Sequence, residues 1–367
     1  MDFGLFSNGE RLPGLAADAY DEDLYEIVQA DRLGYREAWI SEHVGGNVNT
    51  LSVADLFICK AAALTRQIRL APGVRPLALY HPIQVAIEAA MCDHLTRGRY
   101  MFGFGLGGPA RGQMEQRGLG STADEVRRPM MHEAMDLILR CWTAEQPFDF
   151  EGRYWHGKNI LPMPQPYQKP YMPVGVACQF HSGSSLGTAD RAGRDGFLPL
   201  FSQYDDAASI RALADQFVAA AAAAGRAPDR GQIRVCRLVW VADSLRQAKA
   251  ELRPRLEASI ARRKRIFPEQ FAHVLPQGGT LEDVTFDYLV DSGHYFVGEA
   301  DRVAELIARL YQQTGGFGVL LLIAGKDYGT RQQRARSLKL FMQRVAPQLR
   351  DLQPEPHAGA VREPALV

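Results

Sequence analysis

Four short segments of this sequence bring together residue types that can do chemistry. Ser41-Glu42-His43 closes a β-rich run, Glu37 to Ser41. A histidine at a strand end can move a proton near neutral pH, and on spacing alone it can equally be a structural hydrogen-bonding residue. Gly103-Phe104-Gly105-Leu106-Gly107-Gly108 matches G-x-G-x-x-G after a strand, the form of a dinucleotide fingerprint. It falls at the fourth strand, however, and leads into Pro109-Ala110-Arg111-Gly112, which reads as loop before helix. The spacing favours a strand end stripped of side chains so that a flat ring can approach the backbone.

His181-Ser182-Gly183-Ser184-Ser185-Leu186-Gly187 follows the fifth strand and leads into a helix. Small hydroxyl residues and free N–H groups at a helix N-terminus form a phosphate site. An ordinary N-cap on Ser184 or Ser185 explains the same residues. Arg127 and Arg128 open another helix on that face, where they add a cation or stand as surface residues. Ile68 to Pro76, followed by Tyr80-His81-Pro82, crowds prolines and a glycine around a strand end. That predicts a kinked or bulged backbone.

The elements that must position these groups alternate along the chain. Strands are predicted at Phe3–Phe6, Glu37–Ser41, Ile68–Val74, Tyr100–Gly105, Pro173–Cys178, Gly196–Leu200, Ile233–Val241 and Gly318–Ile323. Helical patterns separate them: Asp23–Leu33, Val53–Thr65, Pro82–Leu95, Arg128–Trp142, Leu186–Ala192, Ala207–Ala224, Val303–Gln312 and Ser337–Leu349. Eight βα units predict an α/β fold of the (β/α)8 TIM-barrel type, with a doubly wound sheet plus a second domain as the alternative. Residues 1–350 then form one domain, with insertions at the C-terminal face, where barrels build active sites. These are the Gly-rich stretch 109–124 and a charged stretch of about 250–297, which reads as a lid. Residues 351–367, rich in proline, are expected to be a disordered tail.

Composition excludes several function classes. Lys+Arg and Asp+Glu are both 42 in 367 residues, so no net field steers the chain to nucleic acid or an anionic membrane. The run Arg262-Arg263-Lys264-Arg265 reads as a solvated helix face. None of the five cysteines has zinc-ligand or C-x-x-C spacing; reduced thiols, no metal and a cytoplasmic location are expected. No basic start followed by an apolar run and no stretch of ~20 apolar residues is present, so neither a secretion signal nor a membrane span is expected.

These segments occur in one order. Residues 65–108, the run Ile40-Ser41-Glu42-His43, residues 127–142 and the stretch from Tyr295 towards Leu349 together resemble the bacterial luciferase-like, flavin-dependent monooxygenases. Residues 150–160, 220–230 and 289–298 resemble the diketocamphane-type Baeyer–Villiger subgroup, beside the limonene-monooxygenase-like enzymes. The resemblance implies a homodimeric barrel using FMN, supplied as FMNH2 by a separate NAD(P)H:flavin reductase. O2 would add at the flavin C4a, and the (hydro)peroxide would oxygenate an apolar or carbonyl small molecule.

It also assigns residues. The catalytic histidine falls on His43, with Val44 where the family often has a second one. A cis peptide falls at Gly73–Val74. Gly105 stands where luciferase has a cysteine, which opens space over the ring and argues against light emission. The flavin site comprises Gly73, Val74, Gly105 and Ala177, with the phosphate on Ser182, Gly183, Ser184, Ser185 and Arg128. Phe6, Trp39, Tyr80 and Phe201 are candidates for an apolar substrate pocket or for plain barrel core. Two alternatives are a deazaflavin-dependent oxidoreductase of the same superfamily and a non-catalytic flavin-binding protein.

Overall fold

Short runs of β-branched and aromatic residues, cut off by glycine, proline or polar residues, form the strands, and Ala-, Leu- and Arg-rich stretches form the helices. A computed structural model describes residues 1–9, 14–43, 49–107, 124–178, 185–266 and 268–355. The first half contains β1 (Asp2–Ser7), α1 (Ala16–Leu33), β2 (Glu37–Ile40), α2 (Ala54–Leu64), β3 (Arg69–Pro72), β4 (Arg75–Pro76), α3 (Pro82–Leu95), β5 (Phe102–Gly105), α4 (Asp124–Thr143), β6 (Phe148–Glu151) and β7 (His156–Ile160). The second half contains β8 (Val174–Cys178), α5 (Ser185–Asp195), β9 (Leu198–Phe201), α6 (Ala207–Ala223), β10 (Arg234–Arg237), β11 (Val239–Val241), α7 (Leu245–Ile266), α8 (Phe286–Asp291), β12 (Phe296–Gly298), α9 (Ala300–Thr314), β13 (Val319–Ala324) and α10 (Arg331–Leu340).

Nine of these strands form one sheet in the order β3-β2-β1-β13-β10-β9-β8-β5-β4. All its pairings are parallel. β3 and β4 are one stave broken at Gly73–Val74, and a bridge from Leu70 to Tyr100 joins β3 to the β5 side. The result is the expected barrel of eight staves in chain order. The predicted kink after the third strand is present, and its Gly73–Val74 peptide is cis.

Alternation sorts the side chains. Phe3, Leu5, Ala38, Ile40, Phe102, Phe104, Val174, Val176, Leu320 and Leu322 face the helices in one buried cluster. Trp39, Ala71, Met101, Leu200, Cys236, Val319 and Leu321 face the barrel axis in a second. The indole of Trp39 fills the interior because Gly103 and Gly175 carry no Cβ. One added at Gly103 would meet Trp39 Cζ3 at 2.6 Å and the Pro72 carbonyl oxygen at 2.0 Å, and one at Gly175 would meet Trp39 Cη2 at 2.5 Å.

Four departures from the predicted elements have physical reasons. The seventh strand breaks at Leu238, and β11 leaves the barrel to pair with β12. The stretch between them folds as the 22-residue helix α7, a turn-rich segment and α8. Leu252, Leu256 and Ile260 of α7, with Phe271, Phe286 and Leu289, extend the axial cluster without a break. The insertion is therefore packed over the C-terminal mouth. An antiparallel hairpin, β6–β7, lies outside the barrel. Its turn is held by Glu133, which accepts from the backbone N–H groups of Arg153, Tyr154 and Trp155 at 3.0, 2.8 and 2.7 Å. The expected tail is docked as far as Glu355, whose N–H donates to Gly315 O at 3.0 Å and whose carboxylate pairs with Arg211 at 2.7 Å. Residues 356–367 and most of 109–124 lie outside the described residues. Among the described residues no helix is long and apolar enough to cross a membrane.

Candidate active site

The strand ends converge on one mouth. His43 lies just past β2, with its backbone N–H donating to Leu51 O at 2.9 Å. Burial, reinforced by the charge of Arg263, lowers its pKa from 6.5 to about 4. The imidazole is therefore neutral at physiological pH, able to accept a proton at one nitrogen and donate at the other. Its neighbour Glu42 points the other way and is anchored. Glu42 Oε2 accepts from Ala54 N at 2.9 Å, and Oε1 accepts from the Tyr80 hydroxyl at 2.8 Å.

Behind Glu42 stands a buried cluster that inspection of motifs missed. Arg75, on β4, donates to Asp55 of α2 at 2.8 Å and to Glu88 of α3 at 2.5 Å. Its guanidinium stacks 4.2 Å over the Tyr80 ring. Tyr100 adds a hydroxyl bond to Asp55 at 2.7 Å. Burial pushes the Asp55 and Glu42 carboxyls upward while Arg75 draws them back. The cluster thus ties the broken stave to α2, to α3 and to the residue next to His43. The available signal was a charged Arg75 two residues past a strand-end glycine, where an apolar residue would ordinarily continue the core.

Val74 turns its side chain onto the fourth strand end. A Cβ at Gly105 would lie 2.5 Å from Val74 Cγ2 and 3.3 Å from the Ala177 Cβ. Gly73, Val74, Gly105 and Ala177 are therefore brought together, as the resemblance implied. The room at Gly105 is taken by Val74, contrary to the expectation that it stands open. Phe6 joins them: a Cβ on Gly73 would meet its ring at 2.9 Å.

The other pocket candidates divide. Trp39 is wholly buried in the barrel interior, its Nε1 donating to Glu37 at 2.8 Å. Tyr80 is turned onto Glu42. Phe201 faces outward into the helix-side core. Phe6 and Trp39 both border the broken stave, 2.9 and 3.0 Å from a Cβ built on Gly73, and Tyr80 lies under Arg75 of β4.

Arg128, in the first turns of α4, reaches α5: its Nη1 donates to Thr188 Oγ1 at 3.3 Å. Its Nη2 and the Nδ1 of His132 are buried and have no partner among the described residues. Burial, with Arg191, Arg128 and Arg194 nearby, lowers the His132 pKa to about 4. The orphaned Nη2 of Arg128 beside the first turns of α5 fits a bound phosphate, while Arg191 and Arg194 further along the helix are already paired with Asp136, Asp195 and Asp190. Ser185 opens α5; Ser182, Gly183, Ser184 and Val44 lie outside the described residues.

One expectation fails at the mouth. Arg263, read as part of a solvated face, lies three residues beyond Ile260 and seven beyond Leu256 on the inward side of α7 and faces Tyr204, Tyr295, Asp327 and Tyr328. Its charge acts on His43.

Comparison with known proteins agrees with this geometry. The family described as luciferase-like monooxygenase matches residues 1–317. Limonene 1,2-monooxygenase of Rhodococcus erythropolis is 28% identical over 95% of this chain and 86% of its own. 4-Hydroxyprotoasukamycin monooxygenase of Streptomyces nodosus subsp. asukaensis is 32% identical over 86% of this chain and 83% of its own. A solved structure of the oxygenating constituent of 3,6-diketocamphane monooxygenase from Pseudomonas putida, a type II Baeyer–Villiger enzyme in complex with FMN, superposes with a TM-score of 0.84. It is 26% identical and aligns over 96% of this chain and 99% of that one.

Proposed function

Because this chain belongs to the luciferase-like monooxygenase family, we propose that it is an FMN-dependent monooxygenase that oxygenates a small apolar or carbonyl molecule, with reduced flavin supplied by a separate reductase. The observation that carries the reading is the orphaned donor Arg128 Nη2 beside the first turns of α5. It supplies a cation for a phosphate on the same face as His43 and the broken stave.

In this reading Arg128 and the first turn of α5, with Ser182, Gly183, Ser184 and Ser185, hold the phosphate. Gly73, Val74, Gly105 and Ala177 form the surface against which the ring lies. Reduced FMN, when bound, supplies the electrons that activate O2. The neutral imidazole of His43 accepts or returns the proton at the reacting oxygen. The Arg75 cluster keeps Glu42, and through it His43, in one orientation. The insertion excludes water from the mouth.

A homodimer is part of the proposal. It is supported by apolar side chains left exposed on neighbouring helices: Leu56 and Leu64 of α2, Met91 and Leu95 of α3, with Leu56 74% and Leu95 63% exposed. A cytoplasmic location is supported by the five cysteines, all of them free.

Rapid mixing of oxygen with the chain loaded with reduced FMN tests the activity. Reoxidation is expected in two spectral steps, slower than for free flavin. The His43→Ala variant is expected to bind FMN normally but to yield less product per reduced flavin consumed. Reoxidation at the free-flavin rate would leave a flavin-binding protein. Tighter binding of a reduced deazaflavin than of reduced FMN would move the reading to deazaflavin hydride transfer.

A further inference from the structure

Two thiols meet outside the barrel, in the seam between α2 and α3. The Sγ atoms of Cys59 and Cys92 lie 3.6 Å apart, within a shared S–H hydrogen bond. Their placement follows from the charges one turn earlier. Asp55 stands four residues before Cys59, and Glu88 four before Cys92, so each thiol lies on the same helix face as a carboxylate. Those two carboxylates grip the Arg75 guanidinium, at 2.8 and 2.5 Å. The ion pairs draw α2 and α3 together at one turn, and the sulfurs touch at the next. Closing the gap to the ~2.05 Å of a disulfide asks each sulfur to move by less than about 1 Å.

The two thiols are not alike. Cys59 is partly exposed and open to a small solute, whereas Cys92 is 4% exposed. The hydrogen bond from Cys92 holds the Cys59 thiol below its ordinary pKa, against its burial and the charge of Asp55. The same bond raises Cys92, which keeps its proton. Cys59 is therefore the attacking thiolate and Cys92 the thiol that resolves. Burial pushes Cys141 and Cys236 up to about 12 and raises Cys178 as well, so these three stay unreactive thiols.

We propose that Cys59 and Cys92 form a peroxide-responsive dithiol that closes to a disulfide bridging α2 and α3. The oxidant is hydrogen peroxide, the by-product of O2 reduction that is not coupled to a substrate. The Cys59 thiolate attacks one peroxide oxygen and the O–O bond breaks. The hydroxide that leaves takes the Cys92 proton and departs as water. The Cys92 thiolate then attacks the Cys59 sulfur of the sulfenic acid, and the S–O bond breaks. The second hydroxide regains the proton that Cys59 had released. Two thiols have lost two electrons, and the peroxide has become two waters. The bridge fixes the spacing of the helices that hold Arg75, and with it the broken stave. The pair needs no flavin to react, so its oxidation is independent of the flavin-monooxygenase reading.

The test treats the full chain with a small excess of hydrogen peroxide, blocks free thiols with iodoacetamide and maps the peptides by mass spectrometry, before and after dithiothreitol. A peptide cross-linked through Cys59 and Cys92 is expected before any change at Cys141, Cys178 or Cys236, and it should vanish on reduction. In Cys92→Ser, Cys59 is expected to stop at the sulfenic acid, which dimedone traps. In Cys59→Ser, Cys92 should stay unoxidised. The bridge joins positions 33 residues apart, so oxidation should raise the Tm of the unmutated chain by about 5 °C, reversibly, and neither serine variant should show that rise. The cross-link in the unmutated chain is decisive whatever the stability of the variants. Conversion of Cys59 to the sulfinic acid without a cross-link overturns the inference. So does a Cys59–Cys59 link between two chains, oxidation of the three core cysteines at the same rate, or a Tm that does not rise.

Discussion

At the scale of single residues, the two glycines of the fourth strand do different work. A Cβ at Gly103 would press on the backbone oxygen of Pro72 at 2.0 Å, which cannot give way. A Cβ at Gly105 would press on a Val74 methyl at 2.5 Å, which can rotate. Gly103→Ala is therefore expected to destabilise the barrel by about 3 kcal/mol or more, and Gly105→Ala by roughly 1 kcal/mol. In the proposed site Val74 forms part of the flavin surface, so Gly105→Ala should instead weaken FMN binding. Urea unfolding and FMN titration of both variants check this; equal losses of stability would remove the distinction. The sequence displayed both glycines as a G-x-G-x-x-G string. The flat ring that approaches Gly103 is the chain's own Trp39, a long-range partner that a local motif does not reveal.

At the scale of elements, the proposed phosphate site is a meeting of two helices far apart in sequence. Arg128 belongs to α4 and Thr188 to α5, and neither helix alone makes an anion site. Arg128→Met should weaken FMN binding by about tenfold to a hundredfold while leaving riboflavin binding nearly unchanged, since only FMN carries the phosphate that the guanidinium meets. Fluorescence titration with the two flavins decides it; an equal loss for both would place Arg128 outside the phosphate site. Such elements were largely legible because each strand and helix has its own period. Gly34, in the left-handed region at φ 85°, ends α1 as expected, and Pro82 opens α3. What could not be read was partnership. β10 and β11 share one β-rich run, Ile233 to Val241, and only pairing with β12 separates them. Most of α7 was expected within a charged lid, with Arg262 to Arg265 on a solvated helix face, because its mean polarity hides a stripe of Leu252, Leu256, Ile260 and Arg263. The Arg75 cluster draws on α2, β4 and α3, so no spacing in the chain announces it.

At the scale of the whole molecule, the barrel closes where its first and last units meet, and that seam is built from buried charge. Lys326, after β13, donates to Asp23 of α1 at 2.6 Å across 303 residues. Arg334 of α10 reaches Glu22 and Glu26. Burial outweighs these cations: it raises Asp23 from 3.8 to about 6 and Glu26 from 4.5 to about 7. A carboxyl whose folded pKa is raised adds stability while protonated, and that stability is lost as pH climbs through the folded value. The buried histidines act oppositely. His43 and His132, both lowered to about 4, withdraw stability as pH falls below 6.5. Between pH 6.5 and 8 the two effects overlap, because the unfolded histidines still carry part of their protons there, so Glu26 is isolated by comparison with Glu26→Gln, which removes the charge but keeps the shape. Relative to that variant, the flavin-free unmutated chain should lose on the order of 1 kcal/mol, or about 2 °C in Tm, as pH rises across this window. A Tm difference between the two proteins that stays constant from pH 6.5 to 8 would mean that Arg334 fully compensates Glu26. The seam would then hold its charge as an ordinary ion pair, and closure of the barrel would owe nothing to protonation.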